Sequence, residues 1–401
     1  MSKKKNIKPI KISLREATLK RRLRQHLAEV GFTKKPDGTL ETVEGGKDVV
    51  RYLHNAQRNG ILRDNKRFID ERASDLFKHF ATGSDIDPTN IKPKLERIQS
   101  ETWQSDLFRL AALTWAVPVS SGFGRRIRYL VWDRNNEKLI GLIAIGDPVF
   151  NLSVRDKKIG WTGKDRLERL VNVMDAYVLG AVPPYNMLLG GKLIASLIRS
   201  RDVYNDFKKV YGDTKGIISK KKKGARLLVV TTSSSLGRSS VYNRVKLGGV
   251  QYLQPIGYTG GWGHFHIPDD LFAELRAYLR TKKHKYADQH KFGKGPNWRL
   301  RTTRAALTAL GFRDDLLKHG IKREVFICPL ATNSLSILAK GKGRPCLRGV
   351  LSAEAVGALA VQRWMIPRAE RRPDFKLWTI DNLKGLLIER RLPLRSESVR
   401  A

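Results

Sequence analysis

The glycine pair Gly190-Gly191 follows Asn186-Met-Leu-Leu189 and leads into a helical pattern that runs from Leu193 to Tyr211. A helix start leaves backbone N–H groups without intrahelical acceptors, so this turn could face an anionic ligand. Lys192 comes next, but the G-x-x-x-x-G-K-[ST] spacing of a P-loop is absent, and the chain does not read as an NTPase. Tyr242 stands just past a polar turn, Ser233 to Ser240, where it could be an ordinary packed aromatic. Ser239 and Ser240 are not in a G-x-S-x-G elbow, and helix capping is the simpler account of them. His264 and His266 are two apart, which on a strand points both to one side. Zinc would need further ligands, and none stands at a diagnostic offset, so an edge-strand or phosphate-contact role is favoured. Asp147, Glu168 and Asp175 are carboxylates of the kind a two-metal nuclease uses, yet their spacing adds no support. Asp175 leads into an apolar run and reads as a hydrogen-bonded structural aspartate.

These residues need a scaffold, and the stretch from Leu139 to Tyr258 supplies it. Arg126 to Trp132 alternates in hydropathy, Asp133 to Asn136 is a turn, and Lys138 to Ile145 is a buried strand, so the pair predicts a hairpin. Asn151 to Trp161 reads as a loop or short strand, and Asp165 as the cap of a helix with Leu167, Leu170, Val171 and Met174 on one side. Asp175 to Val182 is a strand, followed by the glycine turn, the helix and a further strand from Ala225 to Thr232. Strand, glycine turn, helix, strand is the order of a βαβ crossover and predicts a partly parallel sheet. Farther on, Thr281 to Arg301 reads as a long mobile loop interleaving Tyr286, Phe292 and Trp298 with cations, a mixture suited to base stacking. Glu324 to Cys328 and Ser334 to Ala339 read as strands.

Four motifs carry a family resemblance: Gly146-Asp-Pro-Val-Phe-Asn-Leu152, the run from Asn172 to Asn186, Gly237-Arg-Ser-Ser-Val-Tyr-Asn243 and the run from Gly257 to His266. They resemble the DruA family of Druantia anti-phage proteins, over roughly residues 10 to 320. The resemblance implies bacterial antiviral defence beside other Druantia proteins, including a large helicase. A second resemblance is to the GNAT acyltransferase fold, whose glycine turn (Q/R-x-x-G-x-G/A) cradles the pyrophosphate of acetyl-CoA. It implies cofactor contacts at Asn186, Leu189, Gly190 and Gly191, and a general acid at Tyr242. Asn186 replaces the usual Gln or Arg, and Leu189 the first glycine. The fold class expected is therefore α/β (α+β), a GNAT-like mixed sheet with an N-terminal helical domain and an α-rich C-terminal extension. The readings for function are nucleic-acid engagement in defence, an acyltransferase-like modifying enzyme, or a metal-dependent nuclease or transposase relative.

Composition bears most directly on the partner. Seventy-seven Lys and Arg stand against 38 Asp and Glu, a formal charge of +39. Such an excess favours a polyanion, because each neutralised phosphate releases a condensed counterion. DNA is the leading partner expected, with an acidic protein subunit as the alternative. Arg22, Arg24, Arg51 and Arg58 lie on short basic helices, and Lys220-Lys221-Lys222-Lys223 forms a charged tip, all candidate phosphate contacts. Residues 1–115 are expected to be a basic helical domain, 116–267 the mixed core, and 268–401 the C-terminal helical extension with basic loops. The chain holds two cysteines and no run of eighteen apolar residues, and its N-terminus lacks the apolar region of a signal peptide. A cytoplasmic location is expected.

Overall fold

The computed structural model describes residues 13–29, 32–36, 40–42, 46–119, 124–213, 224–264, 266–288, 296–312 and 314–389. In chain order the helices are α1 (Leu14–Glu29), α2 (Gly46–Asp64), α3 (Lys66–Leu76), α4 (Trp103–Leu113), α5 (Ser153–Ile159), α6 (Gly163–Arg169), α7 (Gly190–Leu197) and α8 (Arg201–Tyr211). After them come α9 (Asp269–Thr281), α10 (Pro296–Ala309), α11 (Ser334–Lys340), α12 (Ala353–Ala360), α13 (Ile366–Arg371) and α14 (Ile380–Gly385). The strands are β1 (Phe32–Lys34), β2 (Leu40–Thr42), β3 (Pro93–Arg97), β4 (Arg126–Asp133), β5 (Lys138–Gly146), β6 (Val173–Ala181) and β7 (Val229–Ser233). The last four are β8 (Lys246–Leu247), β9 (Val250–Gln251), β10 (Gln254–Tyr258) and β11 (Glu324–Pro329). Contacts divide the chain into two compact units, one of residues 1–53 with 260–321, the other of 54–259 with 322–401. The segments 1–115, 116–267 and 268–401 do not map one to one onto them.

The larger unit is built on one seven-stranded sheet in the order β3-β4-β5-β6-β7-β11-β10. Every neighbouring pair is antiparallel except β6 and β7, which run parallel, joined through α7 and α8. Alternation along the strands divides the core. Met174, Val230 and Phe326 face one cluster with Leu193 and Ile194 of α7 and Val203 and Phe207 of α8. On the opposite face Leu130 and Leu142 pack with Leu107 and Leu110 of α4, while Val173, Val229 and Ile327 pack with Ile159 of α5 and Ile337 of α11. The α/β (α+β) class is as expected, and so are the hairpin of β4 with β5 and the parallel crossover.

Several local expectations are corrected. The single helix from Leu193 to Tyr211 is two, because Ser200 adopts an extended conformation and its hydroxyl caps α8 through the N–H of Val203. Residues 153–159 form α5 rather than a loop or strand. Thr162, not Asp165, caps α6, and Asp165 closes the reciprocal half of a capping box. Ser334 to Lys340 is helical, with Gly341 at φ +73° ending it. Of the stretch from Thr281 to Arg301, Thr281 closes α9, residues 282–288 are mainly turns and 296–301 belong to α10, while 289–295, Phe292 among them, lie outside the described residues. Glu324–Pro329 is a strand, as expected, and as β11 it enters the main sheet between β7 and β10.

The smaller unit is mainly helical, with the two-stranded antiparallel sheet of β1 and β2. Leu19, Leu23 and Leu27 of α1 are buried, as are Leu271, Leu275 and Leu279 of α9, both sets at helical spacing. The Ser13 hydroxyl accepts the N–H of Glu16 at 3.2 Å and caps α1. Tyr278 Oη donates to Glu16 at 2.7 Å, and Lys282 pairs with the same carboxylate at 2.9 Å.

Candidate functional site

The polar centre of the larger unit lies where β6 and β7 part. The two strands pair at only three positions, Val173 with Val229, Met174 with Val230 and Asp175 with Thr231. Beyond these β6 continues to Ala181 without that partner, and a register shift against β5 between Ala144 and Ile145 marks a bulge. One pleat on from the apolar pair Val173 and Val229, the same face turns polar with Asp175 and Thr231. Thr231 Oγ1 donates to Asp175 Oδ1 at 2.7 Å. Burial pushes the Asp175 carboxyl up to about 6, against the Thr231 hydrogen bond and the positive charge of Arg155, which both pull it down.

Tyr242 comes to the same strand separation from the other side of the sheet. Its ring meets Phe326 edge-on at 5.5 Å between centroids, and its hydroxyl lies 3.4 Å from the Leu179 carbonyl oxygen. Burial, with the nearby Asp175 charge, pushes the phenol up to about 12, so it is protonated at neutral pH. The turn that delivers it is fixed by one buried carboxylate. Glu324 accepts the N–H of Ser239 and the side-chain amide of Asn243, each at 2.8 Å, and Ser239 Oγ accepts the N–H of Tyr242 at 3.0 Å. Ser239 is thus a buried cap. The Asp175 carboxyl and the Tyr242 phenol thus reach the parting of β6 and β7 from opposite faces of the sheet.

The glycine turn is anchored by Tyr185, whose buried hydroxyl donates to Asp133 at 3.0 Å. The Tyr185 carbonyl accepts the N–H of Leu188 at 3.1 Å and that of Gly190 at 2.9 Å. Leu189 takes a left-handed φ of +62° to turn the chain into α7. Two of the N–H groups around this helix start are therefore already satisfied within the turn. A Cβ on Gly190 would lie 2.6 Å from the Tyr185 oxygen, whereas one on Gly191 would meet nothing within 4 Å. The close approach in this turn belongs to Gly190. Asn186 is exposed.

The comparisons with known proteins now decide the family. The profile described as "Druantia protein DruA" matches residues 44–340. A curated protein of Escherichia coli (strain UMEA 4076-1), "Druantia protein DruA", is 64% identical over 374 residues, covering 93% of each chain. The chain belongs to the DruA family. It is a component of a Druantia anti-phage defence system. No solved structure matches it.

The remaining candidates of this DruA-family chain sit as follows. Arg58 is buried, not on an exposed helix face; it donates to the carbonyls of Trp115 at 3.1 Å and Ile388 at 3.3 Å, and to that of Leu386. Arg22 pairs with Asp270 at 2.7 Å and with Glu274, so its charge is met within the smaller unit. Arg24 is exposed and stacks over Phe312 at 5.4 Å, and Arg51 is exposed on α2. Lys220, Lys221, Lys222 and Lys223 lie outside the described residues. His264 and His266 stand in a turn, closed by the Ile267 N–H to the His264 carbonyl at 3.0 Å, and not on a strand. His266 is buried against Phe32 and His319, and its Nε2 bonds the Leu316 carbonyl at 2.9 Å. Burial lowers His264 to about 4 and His266 to about 3. Asp147 is paired with Arg125 at 2.8 Å. Among the described residues, no group of three or more His, Cys, Asp or Glu is placed to hold a metal ion. No described helix is long and apolar enough to cross a membrane.

Sequence reasoning missed two partners in this centre, Thr231 and Glu324. Both were visible only as members of apolar strands, and their roles depend on strand order across the sheet.

Proposed function

We propose that this chain serves Druantia defence by engaging nucleic acid through its basic surface, on a core of GNAT-like strand order that acts mainly as a scaffold. The observation that carries the reading is the formal charge of +39 on 401 residues. An excess of cations this large binds a phosphate backbone with little regard to sequence, and its affinity depends steeply on salt. The scaffold half is supported by the four-strand antiparallel run ending in β6, its bulge, the parallel step to β7 and the reversed final pair β11-β10. It is also supported by the glycine turn, where Gly190 and Leu188 donate to Tyr185 rather than facing outward. With no P-loop in the sequence, an ATP-driven step falls to a partner protein such as a helicase. A cytoplasmic location accords with a nucleic-acid target.

The test is binding of duplex DNA, single-stranded DNA and RNA across a salt series. Log affinity should fall linearly with log salt, with a slope of about −0.9 per phosphate contact on duplex and about −0.7 on single strands. A flat line, or no binding at about 50 mM salt where counterion release is strong, overturns the reading.

A second reading, acyl transfer, is favoured by one observation: Tyr242, a protonated phenol, brings its hydroxyl to β6 where that strand has parted from β7. Calorimetry with acetyl-CoA tests it, since heat of binding would promote this reading over the scaffold.

A further inference from the structure

The segment 147–151 projects two adjacent large apolar side chains, Val149 and Phe150, into solvent, 51% and 42% exposed. Exposure of two adjacent large apolar residues is costly, and here the backbone beneath them is held firmly. At the base, Asp147 Oδ2 accepts the N–H of Arg125 at 2.9 Å, and Oδ1 pairs with its guanidinium at 2.8 Å. That guanidinium also donates to the Val171 carbonyl at 2.8 Å. Under the tip, Arg155 is fully buried, and its guanidinium donates to the carbonyls of Val149 and Phe150, each at 2.9 Å. Asp156 neutralises Arg155 at 2.7 Å and also pairs with Arg166 at 2.7 Å. The Arg166 guanidinium lies over the Phe150 ring, 4.6 Å from its centroid.

A buried arginine spent on two carbonyls of an exposed dipeptide has one structural result: the tip cannot fold back to hide its side chains. A guanidinium over one face of a ring also makes that ring a ready stacking partner, since cation, arene and base form a common sandwich. Lys157 and Lys158 on α5 and Lys164 on α6 are exposed on the two helices that carry Arg155 and Arg166. An apolar protein surface would not call for such a cationic setting, whereas a phosphate chain would.

We propose that Val149–Phe150 is a base-stacking tip, Phe150 receiving the π face of an unpaired base while Lys157, Lys158 and Lys164 meet the flanking phosphates. The proposal rests on the nucleic-acid reading above and names a contact and a substrate form within it, an unstacked base rather than an intact duplex.

The experiment uses the full chain with a single-stranded oligonucleotide carrying 2-aminopurine, and a fully paired duplex of the same sequence. On binding to the wild type, 2-aminopurine emission should be quenched by stacking. Phe150→Ala should weaken single-strand affinity roughly 5- to 100-fold, the weight of one base–aromatic stack, with an unchanged salt slope and no quenching. Phe150→Tyr should retain both affinity and quenching, and Phe150→Ala should bind duplex within about twofold of wild type, because a paired base offers no free π face. Equal thermal midpoints for wild type and Phe150→Ala exclude a folding effect. Salt-steep binding that Phe150→Ala leaves unaltered overturns the stacking tip while leaving the nucleic-acid reading standing. Absence of any nucleic-acid binding by the wild type overturns both. Loss of phage protection in Phe150→Ala with unchanged oligonucleotide affinity assigns the tip to a protein partner and overturns it too.

Discussion

Gly190 and Gly191 are adjacent, and only the first is sterically committed. At Gly190 the added methyl of alanine would force the Tyr185 carbonyl aside, breaking the hydrogen bonds that define the turn, at about 1–3 kcal/mol for an overpacked site. Gly190→Ala should therefore lower the thermal midpoint, whereas Gly191→Ala should leave it unchanged or slightly raised through the better helix propensity of alanine. Equal midpoints for the two variants would contradict the geometry. Tyr242→Phe separates scaffold from enzyme: the ring keeps its contact with Phe326, and only the hydroxyl near the Leu179 carbonyl is lost. A scaffold predicts that this variant still protects cells from phage; loss of protection with an unchanged midpoint would favour acyl transfer. At this scale the sequence identified the turn and the tyrosine from their types and order. It could not distinguish Gly190 from Gly191, because the difference is a distance to a carbonyl five residues earlier. Nor could it reveal that Arg58 is interior, since its helix shows the charge pattern of a solvated face.

Among the elements, α6 offers a clean test of local reasoning. Its Thr162 hydroxyl and Asp165 carboxylate satisfy each other's backbone N–H, at 3.4 and 2.9 Å. Removing the hydroxyl in Thr162→Ala should cost about 1 kcal/mol. Because α6 carries Arg166, the loss should also loosen the stack on Phe150, readable as a local rise in amide exchange across 163–169. Unchanged exchange there would show that tertiary packing alone holds the helix. The elements read well from sequence were those with clear alternation and a bounding turn, such as the β4–β5 hairpin. Those misread were short: α5 and α11 are each 7 residues, a length at which helix and strand patterns of apolar residues overlap. The insertion of β11 between β7 and β10 was illegible for another reason. Its apolar run identifies a strand, but strand order is set by long-range pairing that no local pattern records.

For the molecule as a whole, acid is the sharpest probe. His54, His264 and His266 are held neutral by burial, lowered to about 4, 4 and 3. In the unfolded chain they return to about 6.5. Between these limits the unfolded state binds protons that the folded state refuses, so stability present above pH 6.5 is lost as pH falls towards 4. Asp175 acts oppositely: raised to about 6, it takes a proton in the folded state first and offsets part of the loss. Burial lowers His79 as well and raises Asp206 as well, so four imidazoles stand against two carboxyls and leave a net fall, and the thermal midpoint should drop from pH 7 to pH 4.5. A midpoint constant over that range would place these imidazoles in solvent.

The discontinuous make-up of the smaller unit has a consequence for biosynthesis. Its first part ends at residue 53 and its second begins at residue 260, so about 200 residues must be translated between them. At roughly 5–20 residues per second the nascent α1, with Leu19, Leu23 and Leu27 uncovered, waits about 10–40 s for α9 to emerge. An isolated helix of 16 residues is marginal in water, so this segment leaves the ribosome as a chain awaiting its complement. Its cations, Lys20, Arg21, Arg22 and Arg24 among them, keep that waiting segment hydrated and mutually repelled. A gene fragment ending near residue 115 would express this half-unit without its complement, and the two halves should regain structure only when co-expressed or rejoined by circular permutation.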